Sequence, residues 1–179
     1  MKKKVIVCVI AAVILAALII SATALLQHKG YILPGYISWQ ERTLNSDGYD
    51  IILKKKHISV YKADECVWES DKNIKVQDVI LTDVDKDGVT EMTVLCWKKG
   101  RYGMYTPAFG GEDDTSVYSE HIYLYDLGLK KPVPKWMASD LGVTVLSIDT
   151  PNGYILAFHE KSGTVSEWQW VSWGFTKVK

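Results

Sequence analysis

The sequence predicts an all-β domain of antiparallel sheet units behind one N-terminal apolar helix. Three observations carry that expectation. Residues 5–20, "VIVCVIAAVILAALII", hold no polar or charged side chain. After Leu26 no stretch sustains helical periodicity for ten residues. Instead, short runs rich in Val, Ile, Tyr, Trp and Thr recur between glycine and Asp/Asn turn signals. At 179 residues and 47% hydrophobic content the chain can bury a real core, which excludes global disorder.

In chain order the apolar helix comes first. Lys2, Lys3 and Lys4 precede it, and only Ser21 and Thr23 interrupt its apolar character before Leu26. That run spans roughly 30 Å of hydrocarbon at about 1.5 Å per residue. Two fates stay open. A signal peptide would be cut near the small residues Ala22 to Ala24, and an uncleaved anchor would remain in the bilayer. The run exceeds the ~7–15 residues of an ordinary signal-peptide core, which favours the anchor. Either way the lysines stay cytoplasmic and the remainder is exported. Cys8 lies too close to those lysines to be a lipid-bearing cysteine. Setting the three lysines aside leaves 18 basic residues against 21 acidic ones, a net of about −3 that argues against nucleic acid as a partner. Cys66 and Cys96 remain, and export permits a disulfide between them without requiring it.

Residues 27–46 read as a tether with a turn at Leu33 to Gly35, and residues 47–179 as the β domain. Nine runs read as strands: "YDIIL", "HISVY", "CVWE", "VQDVILT", "EMTVLCW", "HIYLY", "VTVLSI", "YILAFHE" and "SEWQWVSW". They echo one another in a fixed order. "HISVY" at His57 matches "HIYLY" at His121, and "WESD" at Trp68 matches "WMASD" at Trp136. "SDGY" at Ser46 matches "PNGY" at Pro151, and "SEHIY" at Ser119 matches "SEWQW" at Ser166. The turn glycines Gly48 and Gly88 lie 40 apart, near the ~40–45 residues of a four-stranded propeller blade. Gly88 and Gly153 lie 65 apart. Most of that excess is the polar, Gly-rich segment 98–119, which reads as a 22-residue insertion without a strand pattern. About two and a half to three propeller-like units result, fewer than the four blades a closed propeller normally needs. An open stack, a compact sandwich and part of an assembly all fit.

One motif carries chemistry. "LTDVDKDGVTEMTVL", from Leu81 to Leu95, places Asp83, Asp85 and Asp87 at alternate positions, Gly88 next, and Glu91 four residues after Asp87. Alternate side chains of a coiling loop converge, and an all-oxygen set suits a hard cation that takes six to eight ligands. The Val89 carbonyl would supply one more, and Gly88 permits a sharp bend. Four carboxylates held together repel unless a cation neutralises them. An EF-hand would need a glutamate at its twelfth position, and Val94 stands there between strand-like flanks. The plain alternative is an ion-free polar turn, since Asp and Gly are default turn residues.

The stretch from Asp78 to Leu95 resembles the acidic loop of FG-GAP/VCBS-type repeats, the units of integrin-like β-propellers. That resemblance implies one calcium ion held by Asp83, Asp85, Asp87, the Val89 carbonyl and Glu91. The loop departs from the family pattern at Lys86, where glycine is common. The turns "LNSDG" and "DTPNG" lack the full carboxylate set, so a single site is expected.

The remaining candidates are weaker. His57 and His121 hold equivalent places in the repeat, which points to strand packing. His28 reads as a solvated residue at the membrane exit. His159-Glu160 begins like a zinc-protease motif, but Gly163 stands where a second histidine is needed. Trp168, Trp170 and Phe175 alternate with polar neighbours and form either a sugar-stacking face or interior packing. In the insertion, Tyr102, Tyr105 and Phe109 could meet a partner, and "GGEDD" from Gly110 to Asp114 adds carboxylates without a nucleophile. The leading expectation is an exported or membrane-tethered, non-catalytic calcium-binding module that contacts a protein or a cell-surface glycan. The alternative is an extracytoplasmic hydrolase with the acidic loop in a structural role, marked by a cleft where His121, Asp113 or Glu160 converge.

Overall fold

The computed structural model describes residues 2–101, 115–128, 130–138 and 140–179. α1 (Lys2–His28) is apolar all round, and none of its membrane-length segment is buried against the rest of the protein. A core helix of a soluble domain would be covered, so α1 is long, apolar and bare as a bilayer span or a signal sequence would be. It ends in a Schellman motif: Tyr31 N–H reaches the Leu26 carbonyl and Gly30 N–H reaches that of Gln27. Gly30 sits at φ +74°, the left-handed position that closes the last turn.

The rest is all-β. The first sheet contains β1 (Arg42–Ser46), β2 (Tyr49–Lys54), β3 (His57–Lys62) and β4 (Glu65–Glu69). The second contains β5 (Lys75–Thr82), β6 (Glu91–Lys99), β7 (Tyr118–Asp126) and β8 (Val133–Met137). The third contains β9 (Val145–Asp149), β10 (Ile155–Glu160), β11 (Val165–Val171) and β12 (Gly174–Lys177). Each sheet is an antiparallel meander in chain order. In place of two and a half to three propeller-like units stand three four-stranded antiparallel sheets, which do not close into a ring.

The echoes in the sequence fall on equivalent strands. His57 opens β3 and His121 lies in β7, the third strand of each sheet, while Trp68 and Trp136 lie on the fourth. Gly48, Gly88 and Gly153 all occupy the first hairpin of their sheets. Local bonding repeats as well. Ser70 N–H donates to the Ile58 carbonyl at 2.9 Å, and Ala138 N–H donates to the Ile122 carbonyl at 3.0 Å. His57 meets Ser70 Oγ, and His121 meets the Ala138 carbonyl. Both histidines tie the third strand to the end of the fourth.

The second sheet is covered on both faces. Met92, Val94, Cys96, Tyr123 and Tyr125 pack with the first sheet, and Leu95, Ile122 and Leu124 pack with the third. Strand periodicity of two sends consecutive side chains into opposite cores. A bulge between Val76 and Asp78 serves both interfaces. Gln77, 1% exposed, donates to the Val145 and Leu146 carbonyls of β9 and accepts from Trp97 Nε1. Asp78, equally buried, takes a two-point ion pair from Arg42 of β1.

Several expectations need correction. β1 lies inside the segment assigned to the tether, and Ile37 is already buried, so the domain starts before residue 47. The ends of the 98–119 insertion are strand: Lys98 pairs with Ser119 and Lys99 with Tyr118. Tyr102, Tyr105, Phe109 and the Gly110 to Asp114 stretch lie outside the described residues. Cys66 is exposed on β4 and Cys96 is buried on β6; both are free thiols.

Candidate metal centre

The acidic loop joins β5 to β6 and is fixed from three sides. Asp83 N–H donates to the Gly153 carbonyl at 2.7 Å, which ties the loop to the first hairpin of the third sheet. The Lys86 ammonium lies 3.7 Å above the Tyr154 ring. Val89 packs against Gly128 so closely that a Cβ there would come within 2.8 Å of it. Gly88 has φ +83°, as the bend requires, and Lys86 also adopts a positive φ of 62°. A non-glycine residue is disfavoured at such a φ.

Ligand atoms of Asp83, Asp85, Asp87 and Glu91 lie within 4.8 Å of one another. Backbone N–H groups orient three of the carboxylates. Gly88 donates to Asp83 Oδ2 at 3.2 Å, Val89 to Asp87 Oδ1 at 2.8 Å, and Val84 to Glu91 Oε2 at 2.8 Å. Asp83 Oδ1 and Asp85 Oδ1 are buried with no partner among the described residues. A buried carboxylate oxygen without a donor is costly, so these two oxygens fit a bound cation.

Sequence reasoning missed Lys135. This residue reaches across from β8 and places its ammonium 2.6 Å from Asp85 Oδ2, 2.5 Å from Glu91 Oε1 and 3.6 Å from Asp87 Oδ2. It stands where a cation would stand. Burial pulls its pKa down, but hydrogen bonds and charge from Asp85 and Glu91 more than offset this and hold the ammonium above its usual range. Glu91 is fully buried, and burial raises its carboxyl pKa despite Lys135 and the Val84 N–H. Four carboxylates facing one lysine leave the cluster strongly negative, so Lys135 answers only part of the repulsion.

No family model matches this chain, and no curated protein or solved structure matches it. The site therefore rests on its own geometry: oxygen donors alone, pre-aimed by backbone, with two left unsatisfied. Such a set suits a hard divalent cation and disfavours zinc or copper.

The other candidates fall apart as sites. Both ring nitrogens of His121 are engaged, Nδ1 with the Ala138 carbonyl at 2.8 Å and Nε2 with Ser119 Oγ at 2.9 Å, and burial lowers its pKa. Glu160 sits on β10 of the third sheet, where its carboxylate accepts from the Ser162 hydroxyl at 3.2 Å, and Asp113 lies outside the described residues. Trp168, Trp170 and Phe175 are partly buried and pack with Trp136 and Phe158; Trp168 and Phe175 also line a cavity of about 180 Å³, and Trp173 is well exposed, at 80%.

Proposed function

We propose that this chain is a membrane-tethered, extracytoplasmic and non-catalytic β module whose acidic loop takes one calcium ion, and that its exported face contacts a protein or a cell-surface glycan. The convergence of Asp83, Asp85, Asp87 and Glu91 around two unsatisfied buried oxygens carries the reading. The Val89 carbonyl is the fifth donor in this proposal. The likeness of the loop to FG-GAP/VCBS repeats supports calcium, as does its irregular crowd of carboxylates, which suits calcium's loose coordination better than strictly octahedral magnesium. The bare apolar helix supports the tether. A bound ion would neutralise the cluster and stiffen the β5–β6 hairpin against the third sheet.

A hydrolase is the second reading, and Glu120 is the observation in its favour. Burial pushes this carboxyl up to about 8, beside a cavity of about 400 Å³ that Asp140 also lines. However, Glu120 Oε2 accepts the Val145 N–H at 2.9 Å, and Oε1 is closed to solvent. A general acid must reach its substrate, so this geometry supports a structural carboxyl instead.

Calcium titration of the purified full chain in detergent, followed by thermal unfolding, tests the reading. An ion that binds only the folded loop stabilises by RT ln(1 + [L]/Kd), about 2.7 kcal/mol at a hundredfold excess over Kd. The Asp85→Ala/Asp87→Ala variant should lose the response. A wild type whose melting temperature ignores millimolar calcium would leave the loop as an ion-free turn.

A further inference from the structure

The place where α1 meets the β domain defines a depth. Tyr118 N–H, at the start of β7, donates to the Gly30 carbonyl at 2.7 Å. Gly30 lies four residues beyond Leu26, where the apolar run ends, or about 6 Å further out along a helix. The polar layer of a bilayer is roughly 5–7 Å thick on each side. With α1 spanning, Tyr118 sits at the level of the lipid headgroups. Tyr31, Ile32 and Tyr36 follow directly and are 46%, 37% and 37% exposed, the amphipathic and apolar types that suit an interface.

Beside Tyr118 opens a cavity of about 560 Å³, walled by Lys72, Lys75, Lys98, Lys99 and, as its single acid, Asp71. Lys75 Nζ donates to the Lys72 carbonyl and Lys98 Nζ to the Gly100 carbonyl, contacts that use donors without cancelling charge. Lys72, Lys75 and Lys99 form no ion pair among the described residues. A second cavity, of about 400 Å³, shares Tyr118 and has Lys29 on its rim, with Arg101 there paired to Asp140 at 3.4 Å and Glu120 alongside. Cations thus gather at the one end of the second sheet that the helix holds against the bilayer.

We propose that the lysine-walled cavity beside Tyr118 binds the phosphate of an anionic phospholipid in the leaflet through which α1 emerges. The proposal rests on the tethered reading of α1 and is independent of the ion at the acidic loop. Ammonium-to-phosphate hydrogen bonds are charge-assisted, and screening by salt weakens them.

The decisive measurement uses the wild-type full chain in nanodiscs of phosphatidylcholine, with and without phosphatidylglycerol. Acetylation rates of individual lysines are read by mass spectrometry, with Lys62 and Lys179 as references. Lys72, Lys75 and Lys99 should react several-fold more slowly in discs with phosphatidylglycerol, and high salt should abolish the difference. Charge reversal at Lys72 and Lys75 should abolish protection of Lys99. Equal rates in both discs would overturn the proposal, and so would equal protection in neutral discs by inorganic phosphate, which would make the site one for a soluble anion. Intact mass of the protein from membranes separates the two readings: a chain lacking residues 1–24 overturns the tether and this proposal together, whereas equal rates on an intact chain overturn this proposal alone.

Discussion

The two ends of the second sheet differ in charge and in how that charge is satisfied. At the β5–β6 tip, Asp83, Asp85, Asp87 and Glu91 crowd together around one lysine borrowed from β8. At the opposite end, where β5 begins and β6 finishes, Lys72, Lys75, Lys98 and Lys99 line one cavity. β5 is eight residues long, so roughly 25 Å of strand separates the two. Acid at the tip is gathered by a bent loop and pre-aimed by backbone N–H groups. Base at the helix end comes from two chain segments and needs no bend. A compact cation suits the first geometry and a broad anionic surface suits the second.

Glu120 should give the largest effect that bears on this contrast, because it is a carboxyl placed at the basic end. Folded Glu120 holds its proton up to about pH 8, against an ordinary value of 4.5. Between those values the folded state binds more protons than the unfolded chain, so stability falls as pH rises and levels off above 8. The loss from pH 5 to pH 8 should be on the order of 3 kcal/mol, and Glu120→Gln should flatten it. Chemical denaturation at a series of pH values, with calcium chelated, measures both. A wild type as flat as the variant would show that Glu120 is solvated.

Next in size comes Lys135→Met. Removing the ammonium leaves Asp85 and the buried Glu91 without their counter-charge; with Lys135 and Asp85 partly exposed the loss falls below that of a fully buried pair, at about 2 kcal/mol in the chelated protein. Calcium should then restore more stability than it adds to the wild type, and at lower concentration. An unchanged calcium midpoint would show that ion and ammonium do not share the cage.

A smaller gain is expected in the first sheet, where the two-residue turn at Lys55 and Lys56 holds both residues at positive φ, 50° and 68°. Lys55→Asn with Lys56→Gly supplies the residues that such turns favour and should stabilise by about 0.5–1 kcal/mol. The smallest effect should follow from replacing the interior of 100–117 with a short Gly/Asn turn. Its ends pair directly, Lys99 with Tyr118, and closure entropy changes slowly with length, so unfolding should stay cooperative and shift by about 1 kcal/mol or less. Loss of cooperativity would make that segment part of the core.

How much was legible in the sequence follows the same contrast. The acidic loop was legible because all of its carboxylates lie within nine residues of chain. Lys135 was not, because it belongs to β8, one of three strands that the apolar pattern overlooked. β1, β8 and β12 are all edge strands, paired on one side only and free to carry Arg42, Pro134, Lys135 and Lys177. The echo of "WESD" in "WMASD" was the available signal, since it placed a strand at Trp136. The helix end was illegible for a different reason. Its lysines stand more than twenty residues apart in two pairs, and only the antiparallel pairing of β5 with β6 brings them side by side.

The bond between Gly30 and Tyr118 has a mechanical consequence. The chain leaves α1 and runs on to β1 at the rim of the first sheet, while the hydrogen bond fastens the same helix end to β7 in the middle of the second. Two attachment points act like two hinges on a door. The hydrogen bond is worth only about 1 kcal/mol, so it biases the angle between helix and domain without locking it, and a modest load on the distal tip is enough to break it.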